Sequence, residues 1–360
     1  MTTAPAKSPT ATAQPAGEPA APSSPQPAMR LREIVFGAAA AAAVRAAATL
    51  GLADALDPGT PATAAELARR LDVQAAPLRR LLGALTSHQV FAETGDGRFA
   101  HTETSLLLRE DSPGSLRHIA LWCTEPWTWQ VWPRLADAVR TGTGVFEDAF
   151  GKSFFDYLHS EGGESARVFD RAMTSSSRQA AQDLAAYVDL TGVTSVADIG
   201  GGQGFVLAGL LERDPGLHGT LLDLPAVVAN ADPRLREGGS LADRVRLVPG
   251  DCRAAIPVEA DLYVIKNILE WDDDSTRATL RNVVTAAAPG ARVLVIENLV
   301  DDSPSMRFTT AMDLLLLLNV GGAKHSEASL TALLTDAGLA VEEVRPVNGY
   351  LHAFEAVVAG

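Results

Sequence analysis

From Val196 the chain reads Val-Ala-Asp-Ile-Gly-Gly-Gly-Gln-Gly up to Gly204, an apolar run that stops at a glycine-rich turn and leads into Phe205-Val206-Leu207-Ala208. Glycines there let a backbone turn sharply and come close to a ligand with no Cβ in the way. A buried strand, such a turn and a helix in direct succession form the opening of a βαβ unit. The rest of the chain continues in that texture. Strands are expected at Ser195–Ile199, Gly219–Asp223, Val245–Val248, Asp261–Ile265, Arg292–Glu297, Ala340–Arg345 and Ala353–Val358. Helices are expected at Phe205–Arg213, Ala226–Asn230, Ser275–Ala288 and Leu330–Ala337. That alternation predicts a mostly parallel, doubly wound α/β sheet of Rossmann-like type with helices on both faces.

Dinucleotide enzymes share such a turn, so its companions decide what it holds. Asp198 sits just before Gly200, Gly202 and Gly204, where it could accept a hydrogen bond from a ligand's ammonium group, directly or through water. Asp223 ends the next strand, the place for an acid that holds ribose hydroxyls. Gly250-Asp251 follows the third strand, where a carboxylate can reach an adenine amino group. No lysine of Walker type follows the glycines, which argues against phosphate transfer. An ammonium, a ribose and an adenine together describe S-adenosylmethionine.

The first half reads differently. Residues 1–28 are Ala, Pro, Thr and Ser with hardly a large apolar side chain, so a disordered tail without an export signal is expected. The run Ala38–Val44 is too short for a membrane span and reads as a tightly packed helix. From Leu31 to about Ala186 the pattern is helical apart from one β excursion. Thr63 and Glu66 have capping-box spacing for a helix Ala64–Leu71. A turn at Asp72-Val73-Gln74 precedes a helix Ala76–Ser87. Then Val90–Glu93 and Arg98–His101 flank Thr94-Gly95-Asp96-Gly97, a hairpin signal. Helix, turn, helix and hairpin make a winged-helix arrangement, which serves either DNA binding or subunit contact. The segment Leu121–Phe155 concentrates aromatics, including Trp127, Trp129 and Phe155, in a chain only 6% aromatic. They are either helical core or the wall of a pocket for a flat organic substrate. The boundary between the halves falls at Tyr187–Thr194, giving expected domains of 29–186 and 187–360.

Charge excludes several classes. A formal net charge of -14 repels phosphate backbones and anionic lipid, so nucleic acid and membrane are poor partners and the winged helix reads as a contact module. The two cysteines, Cys123 and Cys252, lie far apart with no metal-ligand spacing, which fits a reducing cytoplasm and no bound metal.

Several segments together carry a resemblance: Phe169-Asp170-Arg171-Ala172-Met173, Asp198–Gly204, Leu222-Asp223-Leu224-Pro225, Gly250-Asp251, Lys266-Asn267-Ile268-Leu269 and Asn319-Val320-Gly321-Gly322. Over roughly nine-tenths of its length the chain resembles the class I small-molecule O-methyltransferases of the caffeate and antibiotic-tailoring type. The resemblance implies an N-terminal, mainly α dimerisation domain with a winged helix, a Rossmann-like catalytic domain and a homodimer. It implies a donor site of Met173, Ser177, Asp198, Asp223, Leu224, Gly250, Asp251, Cys252, Lys266 and Trp271. It places Asn267, Met312, Leu316 and Asn319 toward a small-molecule acceptor.

The acceptor side departs from that pattern. Where the family carries His-Asp-Trp, with the histidine as general base, this chain has Glu270-Trp271-Asp272. Glu270 takes the histidine's place without a gap, unless a local shift restores Trp271 to an adenine-facing role. Glu297 matches one of the two acids that orient the histidine, but Lys324 replaces the other. Glu270 could be a weak base, a substrate anchor, a sign that methyl transfer has been lost, or a solvated carboxylate at a helix start. His325 is a candidate substitute base. The expected activity is methylation of an aromatic or polyketide-like metabolite, at oxygen before carbon or nitrogen. The alternative is a repurposed fold that binds the donor and catalyses hydroxylation, decarboxylation or cyclisation.

Overall fold

The computed structural model describes residues 26–112, 114–160, 164–301 and 306–359. The tail expected over 1–28 lies outside the described residues as far as residue 25, and Gln26 already opens the helix Gln26–Val35. The alanine-rich segment forms the helix Gly37–Leu50, but of its residues only Ala47 and Ala48 are buried. The tight packing expected over Ala38–Val44 is therefore corrected: small side chains on one face meet the domain, and the other face stays open. Leu31, Ile34, Val35 and Phe36 are 62–71% exposed just before it. Among the described residues no single helix is long and apolar enough to cross a membrane, although these two, bent by 46° at their junction, are so together.

The capping box at Thr63 forms as its spacing predicts. The Thr63 hydroxyl accepts from the Glu66 N–H at 3.2 Å, and the Glu66 carboxylate accepts from the Thr63 N–H at 2.7 Å. The helix Ala64–Leu71 ends at Asp72 in the left-handed region, φ 53°, and Ala75–Ser87 follows. The hairpin consists of β1 (Phe91–Glu93) and β2 (Phe99–His101), antiparallel. Leu52, Leu67, Leu82, Phe91 and Phe99 close a core beneath it.

The second half contains β3 (Ser195–Ile199), β4 (His218–Asp223), β5 (Val245–Pro249), β6 (Leu262–Lys266), β7 (Arg292–Glu297), β8 (Leu339–Pro346) and β9 (His352–Val358). They form one sheet in the order β5-β4-β3-β6-β7-β9-β8. The first five are parallel; β9 pairs antiparallel with both β7 and β8. β3, β6 and β7 are buried along nearly their whole length because helices cover both faces. One face packs on Phe205–Arg213 and the end of the long helix Glu164–Tyr187, the other on Asp273–Ala286 and Glu327–Asp336.

Asp261, expected in β6, instead precedes it, and its carboxylate accepts from the N–H groups of Thr194 and Ser195 at 2.8 and 2.9 Å. From β3 the chain winds outward through β4 to β5, then returns to β6 on the other side of β3. The carboxyl ends of β3 and β6 therefore frame the switch point where open α/β sheets bind ligands.

Candidate active site

Four strand ends deliver charged side chains to that switch point: Asp198 from β3, Asp223 from β4, Lys266 from β6 and Glu297 from β7. Gly200, Gly202 and Gly204 all take φ between 62° and 79°, and Gly204 starts the helix Phe205–Arg213. Asp198 is 2% exposed, and its Oδ2 has no hydrogen-bond partner among the described residues. A buried carboxylate oxygen left so is costly unless a ligand completes it. Burial, with Asp223 adding to it against the pull of Lys266, pushes the Asp198 carboxyl up to about 7. The Asp223 carboxylate accepts from the Gly202 N–H at 2.8 Å and the Leu224 N–H at 2.7 Å, and its backbone carbonyl accepts from Gly250 at 2.9 Å. The glycine turn, Asp223 and the Gly250-Asp251 loop are thus one hydrogen-bonded unit.

Asp251 is held by Arg253, which its sequence position did not bring to notice. Arg253 Nη2 lies 2.8 Å and Nε 2.9 Å from its two oxygens, and this pairing holds the Asp251 carboxyl below its usual range. Arg253 also lies 5.6 Å from the ring centre of Trp271. Trp271 therefore stands on the Asp251 side of the site, while its neighbour Glu270 turns to Lys324. The Cys252 thiol points away, 3.8 Å from Thr279 Oγ1 in the core, where burial pushes it up to about 11.

On the acceptor side Glu270 and Lys324 form an ion pair, 14% and 7% exposed. The loop carrying Lys324 lies directly on the Glu270 backbone, since a Cβ on Gly322 would come within 2.1 Å of the Glu270 carbonyl oxygen. The Glu297 carboxylate accepts from the Leu269 N–H at 3.2 Å, and burial, then Glu270, pushes it up to about 8. Burial alone would lower Lys324, but Glu270 and Glu297 outweigh it and hold it above its usual range. Burial lowers Lys266 despite Asp198, Glu297 and Glu270. His325 Nε2 donates to the Leu269 carbonyl at 2.5 Å, so that nitrogen anchors the loop. Asn267 takes φ 53° and keeps a buried Oδ1 without a partner among the described residues, a strained, unsatisfied position at the end of β6.

The O-methyltransferase domain family matches residues 132–340, and the O-methyltransferase dimerisation domain matches residues 32–111. The chain belongs to the O-methyltransferase family. It is 41% identical to the mitomycin biosynthesis 6-O-methyltransferase of Streptomyces lavendulae over 318 residues, 88% of this chain and 90% of that one. The structure of CalO1, a methyltransferase in calicheamicin biosynthesis in an S-adenosylhomocysteine-bound form, superposes with a TM-score of 0.83 at 35% identity, covering 93% of this chain and 98% of that one. Aclacinomycin 10-hydroxylase RdmB of Streptomyces purpurascens is 33% identical over 319 residues, 84% of this chain and 82% of that one.

The donor of this O-methyltransferase family is S-adenosylmethionine, and the residues fit it. Asp198 Oδ2 is a buried acceptor with no donor among the described residues, and in the turn beside it Gly202 faces open space, a Cβ there meeting nothing within 4 Å. The long helix Glu164–Tyr187 closes over that turn: Thr174 Oγ1 donates to Gln203 Oε1 at 3.1 Å, and Arg178 lies 5.0 Å from the Phe205 ring centre. Met173 and Ser177 flank those contacts on the same helix. Met312, Leu316 and Asn319, spaced 4 and 3 apart on the helix Met306–Val320, share one face. Asn319 Oδ1 is buried without a partner among the described residues.

The aromatic segment divides. Trp127 is 2% exposed and held edge-on by Phe146 and Phe154, so its place in an open pocket wall is corrected: it is core. Trp129 and Phe155 stay 38% and 37% exposed, with the Trp129 indole N–H donating to the Thr124 carbonyl. The structure adds Gln203 and Arg253 to the residues named from sequence. An Asp followed two positions on by Arg was a visible signal for the second; nothing in the sequence marked Gln203.

One expectation follows from Asp198. Its carboxyl is protonated below about 7 and ionised above it. An ammonium-bearing ligand prefers the ionised form, so affinity for S-adenosylhomocysteine should rise roughly tenfold from about pH 6 to about pH 8. Calorimetry should show this slope in the native chain and a flat profile in Asp198→Asn. The same raised value has the opposite sign for folding. The folded chain keeps a proton that the unfolded chain releases above about pH 4, so this group's contribution to stability falls as pH rises toward 7.

Proposed function

We propose that this chain transfers a methyl group from S-adenosylmethionine to a hydroxyl oxygen of a small aromatic or polyketide-like metabolite in secondary-metabolite biosynthesis. The orphaned Asp198 carboxylate beside the glycine turn carries this reading. In it, Asp198 holds the donor's ammonium, Asp223 its ribose, and Asp251 with Trp271 its adenine, while Lys266 stands near the reactive end. When bound, the donor supplies an electrophilic methyl on a sulfonium, and the protein's task is to position an oxygen in line with it and keep water out. Asn267, Met312, Leu316 and Asn319 orient the acceptor, with Trp129 and Phe155 at its rim.

The chain works as a cytoplasmic homodimer in this reading. The dimerisation-domain match covers the helices and hairpin of 64–101, read as a winged helix, and Leu31, Ile34, Val35 and Phe36 offer the apolar surface a subunit contact needs. DNA is disfavoured because Arg79 of the second helix is already paired with Glu93 at 2.8 Å and the chain is strongly acidic.

A second reading has its own observation. A relative is named for hydroxylation, and the acceptor side has a lysine-paired Glu270 where the family carries histidine. Incubation with methyl-labelled donor and a panel of hydroxylated aromatics decides between them. Label on an acceptor oxygen, from a protein sedimenting at twice the chain mass, is the expected result. Tight donor binding with no label transfer and oxygenation or decarboxylation of an acceptor would put the second reading in its place.

A further inference from the structure

The Asp251 carboxylate is filled by a side chain two positions on. Arg253 Nη2 donates to Oδ2 at 2.8 Å, and Nε lies 2.9 Å from Oδ1 and 3.1 Å from Oδ2. The Arg253 backbone N–H donates to Oδ1 at 2.9 Å. A carboxylate offers about four lone-pair sites, so this one residue takes up nearly the whole acceptor. The same guanidinium stands over the partly buried Trp271, 5.6 Å from its ring centre, within the range of a cation–π contact. Arg253 therefore bridges the two groups that hold the adenine in the reading above. Its chemistry copies that of an aminopurine: a flat, delocalised group that gives N–H donors to the acid and lies against the indole.

The backbone under this pair is pinned, whereas the side chain is not. Asn282 Nδ2 donates to the Cys252 and Arg253 carbonyls at 2.8 and 2.9 Å, and the Ala254 and Ala255 N–H groups donate to the Asp251 carbonyl at 2.9 and 3.0 Å. The Arg253 and Asp251 side chains are 46% and 33% exposed, so the guanidinium regains hydration when it leaves. Asp272, exposed where it caps the helix Asp273–Ala286, also attracts Arg253 and offers the displaced cation a second anion. A turn about the side-chain bonds of Arg253 is thus enough to open both Asp251 and the Trp271 face.

We propose that Arg253 competes with the donor's adenine for Asp251 and Trp271, so that donor binding turns its side chain out and the competition sets the donor affinity. This inference rests on the methyltransferase reading above. No covalent bond changes in the exchange. The adenine amino group takes over the Asp251 carboxylate, the purine takes over the Trp271 face, and the guanidinium turns to water and Asp272. S-adenosylmethionine and S-adenosylhomocysteine carry the same adenosine, so Arg253 loosens the hold on donor and product alike and favours product release.

Calorimetry of the full-length protein with S-adenosylhomocysteine tests this. That ligand is a zwitterion without net charge, so removing a cation changes its affinity chiefly through local contacts. Arg253→Met keeps an apolar stem and should bind it about two- to fivefold tighter than the native chain, the worth of an exposed ion pair. In an Asp251→Asn background the same substitution should change Kd by less than about 1.5-fold, because the competition runs through Asp251. Weaker binding by Arg253→Met would overturn the proposal and make Arg253 a support for the purine. An unchanged Kd would overturn it as well, as would a crystal structure of the S-adenosylhomocysteine complex with Arg253 still on both Asp251 oxygens. Failure of the methyltransferase reading looks different. A native chain that binds no S-adenosylhomocysteine ends both, whereas binding without methyl transfer to any acceptor ends that reading alone and leaves the Arg253 contrast to be measured.

Discussion

Lys324→Met should lower the unfolding free energy by about 3–5 kcal/mol, because it strands one member of a buried ion pair. Glu270 and Lys324 are 14% and 7% exposed, so neither charge can recover the hydration it lost on folding. The loss is aggravated by Glu297, which interacts electrostatically with both members of the pair. Without Lys324 the Glu270 carboxylate would share one buried region with the Glu297 carboxyl, with Lys266 as the other cation that acts on them. Urea denaturation with an unchanged m-value is the measurement. The double variant Glu270→Gln with Lys324→Met removes both charges and should recover most of the loss, since replacing a whole buried pair is often close to neutral. A single-variant cost under about 1 kcal/mol would mean that the pair behaves as a solvated one.

The two halves of this site were unequally legible in the sequence. The donor half could be read because its chemistry is local: an acid before a glycine turn, an acid at the end of the next strand, and an acid after the third. Backbone hydrogen bonds then join them, as Asp223 does with Gly202 and Gly250. The parallel strands were legible for the same reason, each being a short apolar run buried on both faces. The antiparallel insertion of β9 between β7 and β8 was not, because strand order depends on long-range packing that composition does not encode. The Glu270–Lys324 pair spans 54 positions and could be anticipated only through the resemblance. Trp127 could be assigned to core or pocket wall only by seeing which side of its helix faces Phe146 and Phe154.

Gly201→Ala should weaken donor binding by about 100-fold or more while leaving the fold intact. Gly201 is absent from the residues with positive φ, unlike Gly200, Gly202 and Gly204, so alanine meets no backbone penalty there. Its requirement for glycine is steric: an added Cβ would lie 2.3 Å from Asp198 Cγ and 2.4 and 2.6 Å from its oxygens. The carboxyl is buried and must move off the position where its free Oδ2 now points. Overpacking of this kind costs about 1–3 kcal/mol of stability. Losing a charge-assisted hydrogen bond to the ligand's ammonium is the separate cost to binding, about 1.5–3 kcal/mol, whose upper part is the 100-fold range (about 2.7 kcal/mol). Calorimetry with S-adenosylhomocysteine on Gly201→Ala, Asp198→Asn and the double variant forms a cycle. If Gly201 acts through Asp198, the double variant should bind no more weakly than the worse single one. Additive losses would show that Gly201 meets the donor itself, and that the carboxylate is not what the glycine protects.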